Sequence, residues 1–87
     1  MAASSLDAMD RMIRLLTQLE QALQDVDNQL KREYDIVGTE WDDKQYKNLG
    51  DIIGDISTSL GKNYSQISEC TIRIQLLKSK LEEYLNT

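Results

Sequence analysis

The residues best equipped for chemistry in this 87-residue chain are Glu40, Asp42 and Asp43, three carboxylates within four positions, and Cys70, the only cysteine. Clustered carboxylates can bind a divalent cation or work as an acid–base pair. These three are neighbours in sequence, however, so on a helix they diverge, and no glycine-bearing cation loop surrounds them. Their simpler role is to place negative charge at a helix N-terminus, where the backbone dipole favours it. A single cysteine rules out an intramolecular disulfide and a thiolate zinc cluster. Its apolar neighbours predict a buried, inert thiol. The chain has no histidine, which removes the commonest general base and metal ligand. There is also no phosphate-cradling glycine loop and no nucleophile elbow. The expectation is a protein without catalytic residues, cofactor or metal.

The three acids belong to the stretch Val37-Gly38-Thr39-Glu40-Trp41-Asp42-Asp43, which sits mid-chain and holds the only tryptophan. On both sides run long apolar patterns of helical period, and the chain contains no proline. Before the turn, Met9, Met12, Leu16, Leu19, Leu23, Val26, Leu30 and Val37 recur at heptad spacing, which predicts a helix with one buried stripe. Ile13, Leu15 and Ala22 widen it. Ser5 is a natural N-cap, and Gly38 suits a left-handed C-terminal cap. Thr39 with Asp42 reads as a variant capping box for a second helix.

The second half has the cleaner register. Tyr46, Leu49, Ile53, Ile56, Leu60, Asn63, Ile67, Cys70, Ile74, Leu77, Leu81 and Tyr84 follow in gaps of three and four, with Asn63 as a register-setting polar member. Gly61 is the one candidate break. A turn there would give a three-helix bundle, but the heptad phase runs through Gly61 unchanged, which favours one continuous helix. The expected fold is therefore all-α: a single domain over residues 1–87, with helix 5–37, turn 38–40 and helix 41–86. Leu16, Leu23 and Leu30 are expected to pack on Ile53, Ile56, Leu60, Ile67, Ile74, Leu77 and Leu81. One hairpin of this size buries little apolar surface, so assembly into a four-helix bundle is expected.

The net charge of −5 disfavours nucleic acid, whose binding needs phosphates neutralised by Lys and Arg. The acidity lies in residues 1–43, with ten acids against four bases, which is the wrong polar face for a membrane-surface helix. No apolar run reaches the ~18 residues of a membrane span. The amino terminus lacks the basic segment and apolar core of a signal peptide. A cytoplasmic protein is expected, with export only by a route that needs no cleaved signal.

A hairpin of this length with tryptophan at its turn resembles the WXG-type small proteins of type VII secretion, including the small helical partners of LXG-type effectors. The matching stretch is Trp41-Asp42-Asp43, followed by Tyr46 and Leu49, with Asp43 standing where that family has glycine and Gly38 just before the motif. The resemblance implies a non-enzymatic homo- or heterodimeric partner, adaptor or chaperone of a secreted effector, with Gly38, Trp41, Asp43, Tyr46 and Leu49 as the turn and recognition motif. The family's tail signal, Tyr-x-x-x-Asp/Glu, has no counterpart after Tyr84, so a partner would have to supply it. The other class compatible with the residues is a cytosolic structural or regulatory coiled-coil subunit unrelated to secretion.

Overall fold

The computed structural model describes residues 2–86, with side chains from residue 4 onward. Two helices, α1 (Ala2–Gly38) and α2 (Lys44–Leu85), fold back on each other as a hairpin. The chain forms a rod of 67 × 16 × 14 Å, two helices thick and one helix deep. Helix α2 runs unbroken through Gly61, so no third helix forms. Continuity of the heptad phase is the physical reason: the inner face stays in step on both sides of Gly61.

The ends of the elements differ from their sequence-based bounds. Helix α1 begins before Ser5, and Gly38 is its last helical residue. No glycine among the described residues takes a positive φ, so Gly38 is not a left-handed cap. The helix closes instead through a tightening turn. The amides of Thr39 and Glu40 donate to the carbonyls of Ile36 and Val37 at 3.1 Å each. The Thr39 hydroxyl donates to the Ile36 carbonyl at 2.7 Å. Thr39 thus ends α1 rather than starting α2.

The start of α2 falls to Asp43, whose extended backbone and carboxylate make it the N-cap: the Tyr46 amide donates to its Oδ1 at 2.9 Å. Asp43 wins because an ionised carboxylate accepts a helix amide more strongly than a hydroxyl does. Glu40, Trp41 and Asp42 consequently lie in the loop. At the far end, the Asn86 amide donates to the Glu82 and Glu83 carbonyls, closing α2 at Leu85.

The contact between the helices is set near the turn. A Cβ added to Gly38 would run into the phenol of Tyr46, and one added to Gly50 would run into the phenol of Tyr34. The missing side chains let each tyrosine lie on the opposite helix. Further along, the Ser57 hydroxyl donates to Asp27 Oδ1 at 2.7 Å. In all three facing pairs (38 with 46, 34 with 50, 27 with 57) the residue numbers add to 84, so that sum gives the levels of the hairpin.

This register turns inward a line of small and polar residues. On α2 it comprises Gly50, Ser57, Tyr64, Thr71 and Lys78, and on α1 it comprises Glu20, Asp27 and Tyr34, with Ile13 the apolar member. The apolar contribution comes from the adjacent line. Ile53, Ile67 and Ile74 are buried, with 8%, 7% and 6% of their surface exposed. Leu60, Leu81, Leu16 and Leu23 are half-buried.

Half of the apolar seam expected from the sequence is therefore not inside the hairpin. Leu30 and Ile56 are exposed, and Leu77 is 57% exposed. Met12, Leu19, Val26, Leu49, Asn63 and Tyr84 are exposed as well. Cys70, expected to be buried, is also exposed. The reason is rotation. Seating each tyrosine on the facing glycine turns both helices so that only one of the two heptad lines in the stripe points at the neighbour.

Candidate functional site

The residues rotated outward form a continuous surface along one side of the rod. Near the turn, Leu30 and Val37 of α1 and Leu49, Ile52 and Ile56 of α2 line a shallow apolar groove. Towards the middle, Leu16, Leu19 and Leu23 line a second depression with Asn63, Gln66, Ile67 and Cys70. Heptad spacing extends the same face to Met12 on α1 and to Leu77 on α2. Exposed Leu, Ile, Val and Met at this spacing form the kind of surface on which further helices can pack.

The area supports that use. A compact monomer of 10.0 kDa exposes about 5,240 Å², whereas this chain exposes 6891 Å². The difference, roughly 1,650 Å², is about twice what each partner contributes to a standard protein interface.

At the acidic end of this face lies the corner. Trp41 is 59% exposed and forms a small depression with Val37, Gln45, Tyr46 and Leu49. The corner thus brings together Trp41, Tyr46 and Leu49 from the expected motif. Gly38 lies beneath, against the Tyr46 phenol. Asp43 is tied to the same corner: the Tyr46 amide first, then the Trp41 side chain, hold its carboxyl below the ordinary range. Within the corner, Tyr46 stacks on Tyr34, with ring centroids 4.2 Å apart and planes 3° from parallel.

Tyr34 was not singled out by periodicity, because it is neither apolar nor on the expected stripe. A signal for it does exist: Tyr-x-x-x-Gly occurs twice, at Tyr34–Gly38 and at Tyr46–Gly50. In each copy the glycine sits one turn beyond the tyrosine on the same face. Asp27 was likewise missed. It keeps only 9% of its surface exposed, bonded to Ser57 and paired with Lys31 at 3.0 Å. The Ser57 bond, then Lys31, hold its carboxyl below the ordinary range. Tyr64 stands on the same inner line with its hydroxyl unbonded, and desolvation pushes its pKa up. At the open end, Lys78 bridges to Asp10 at 2.6 Å and to Glu82 at 3.6 Å.

Among the described residues no group of three or more His, Cys, Asp and Glu is placed to hold a metal ion. Among the same residues no helix is long and apolar enough to cross a membrane. What the geometry offers is an apolar helical face with an aromatic, acidic corner at one end. Compared with known proteins, the chain matches no family model, no curated protein and no solved structure.

Proposed function

We propose that this chain is a non-enzymatic helical interaction protein that works by burying its outward apolar face against helices of a partner. In this reading it is WXG-like, acting as a dimerising partner, adaptor or chaperone of a secreted effector of type VII secretion. One observation carries the interaction reading: the apolar line Leu49, Ile56, Cys70 and Leu77 lies outside the hairpin seam, although the sequence marks it as a helix-packing seam. Water is a poor environment for such a line, and a partner's helices remove it at about 25 cal/mol per Å² of apolar surface. The link to secretion rests on the resemblance at Trp41 and on the exposure of that ring at the end of the face.

The experiment is a pull-down from the native host with the wild-type chain and with a Leu49→Glu/Leu77→Glu variant, both checked for helicity. The wild type retains a helical partner chain and the variant loses it. If the variant keeps the partner, or if the wild type is a well-folded monomer that retains nothing, the reading falls. A second substitution, Trp41→Ala, addresses the corner. Loss of binding or export with the fold intact gives Trp41 a recognition role, whereas retention makes it a packing residue.

The alternative is a cytosolic structural or regulatory coiled-coil subunit. Asn63 within the exposed heptad line favours it, since such asparagines set the register of coiled coils. A neighbouring gene for a membrane ATPase or for a long toxin with a helical amino-terminal domain would speak for the secretion reading.

A further inference from the structure

Two glycines of α2, Gly54 and Gly61, seat no tyrosine, and Gly61 divides a well-bonded half of the seam from a poorly bonded one. We infer that α2 carries a hinge at Gly61, about which its distal arm, residues 62–85, lifts off α1 while the turn end stays clasped.

The hinge rests on two independent local features. Gly54 and Gly61 have nothing within 4 Å of an added Cβ. Neither therefore serves a close approach inside the hairpin, although glycine weakens a helix interior. The second feature is a pair of hydroxyls on the same glycines. Ser65 donates to the Gly61 carbonyl at 3.4 Å, as Thr58 does to the Gly54 carbonyl at 3.0 Å. A hydroxyl bonded four residues back competes with the backbone amide for that carbonyl and bends helices. Glycine combined with such a residue is a usual place for a kink. Helix α1 has no glycine before Gly38, so it is the stiffer member.

The seam decides which of the two weak points opens. On the turn side of Gly61 the inward polar groups are paired. Tyr34 and Tyr46 each donate to the other's carbonyl, and Ser57 holds Asp27. Gly54 lies within this paired segment, so an opening that began there would break the Ser57 bond. Beyond Gly61 the first inward residue is Tyr64, whose hydroxyl is buried without a partner. Lifting the arm gives that hydroxyl water to bond. The arm is held by Ile67 and Ile74 and by the ion pair of Lys78 with Asp10. Those two side chains are 30% and 47% exposed, and a pair so open to water is weak. The arm thus opens before the clasp does.

Opening makes a cleft. The depression that Ile67 shares with Leu16 and Leu23 deepens between the helices, and Ile74 joins its wall. The groove beside the turn keeps its shape, because the tyrosine clasp stays closed. The hinge belongs to the hairpin itself and does not depend on the interaction reading.

The test is thiol labelling of single cysteines in the full chain with Cys70→Ser, at low protein concentration. Ile74→Cys reports the arm and Ile53→Cys the clasped part. Each variant is checked for helicity, and each rate is divided by that of the same cysteine in urea. Ile74→Cys is expected to react at least about tenfold faster, since it needs only the arm to open whereas Ile53→Cys waits for the whole hairpin. Adding Gly61→Ala is expected to slow Ile74→Cys about fivefold, the factor by which alanine favours the helix that the hinge must unwind. Adding Gly54→Ala is expected to leave that rate unchanged, because residue 54 stays helical in the opened form. If Ile74→Cys disturbs the fold, Thr71→Cys, on the inward line and close in size, takes its place. Equal rates for the distal and the clasped cysteine overturn the opening of the arm. A fast distal cysteine that ignores Gly61→Ala, or that Gly54→Ala slows equally, overturns the hinge at Gly61.

Discussion

Tyr34 and Tyr46 hold the hairpin closed by a reciprocal exchange. Their rings stack in parallel, and each hydroxyl donates to the other residue's backbone carbonyl at 3.0 Å. The pair joins the two helices through residues twelve apart in sequence, and both tyrosines are half-buried. Burial first, and then the bond with Tyr34, push the Tyr46 pKa from the usual 10 up to about 12.

The sign of that shift makes an alkaline prediction. Below pH 10 both the folded and unfolded tyrosine are neutral, and the pair's contribution is fully present. Between pH 10 and 12 the unfolded phenol ionises while the folded one resists, so stability falls as pH rises through this window. Urea unfolding from pH 8 to 11.5 should show a flat region and then a decline. Tyr46→Phe should lower the flat region and shallow the decline; an unchanged profile would show that the phenol is solvated.

The four glycines divide into two pairs with opposite expected responses. Gly38→Ala and Gly50→Ala each force a phenol off its seat, and overpacking of this kind costs about 1–3 kcal/mol, more than the ~1 kcal/mol of helix propensity that alanine returns. Gly54 and Gly61 have nothing within 4 Å of a new Cβ. Alanine there should stabilise by about 0.5–1 kcal/mol each. Thermal unfolding of the four single variants decides it, and a destabilised Gly54→Ala would reveal a close neighbour.

Asp27 predicts the acidic limb. Its folded carboxyl is held low by Ser57 and Lys31, so its contribution is present above the ordinary carboxylate pKa and lost as pH falls through the folded value. Ser57→Ala should raise the folded pKa of Asp27 and shift the acid unfolding midpoint towards neutral pH. Side-chain carboxyl NMR titration reads this directly. An Asp27 that titrates alike in both proteins would mean that the Ser57 bond is not made in solution.

Cys70 serves as a native reporter of the face. It is exposed in the single hairpin, so an uncharged thiol reagent should label it readily at nanomolar protein. Self-association through this face would slow labelling by an order of magnitude or more at tens of micromolar. A rate independent of concentration would place Cys70 outside any self-contact.

The fold class and the continuity of α2 were legible in the sequence because they depend on period, and period survives any rotation of a helix. What could not be read was the rotation itself. The stripe of α2 is wide enough to hold two heptad lines, one through Ile53 and Ile67 and one through Ile56 and Leu77. Hydrophobicity does not say which of them faces the companion helix. The choice was made by Gly38 and Gly50, which have no side chain to enter in a hydrophobic pattern and act through the room they leave for Tyr46 and Tyr34. The cap was missed for a related reason: Thr39 and Asp43 both suit an N-cap, and only the tightened turn over residues 36–41 shows that the threonine is already spent. Of the expected corner motif, Trp41, Tyr46 and Leu49 do come together, since a short loop leaves them no alternative.

The small and polar inner line has a consequence for how much of this chain a cell can keep. A hairpin joined along Gly50, Ser57, Thr71 and Lys78 has few buried side chains to resist local opening, and proteases cut the opened form in proportion to its population. Under the proposed interaction, copies whose apolar side is covered should be spared and uncovered copies should be cut. Digestion half-life should lengthen with protein concentration, and Leu49→Glu/Leu77→Glu should hold it at the short value throughout.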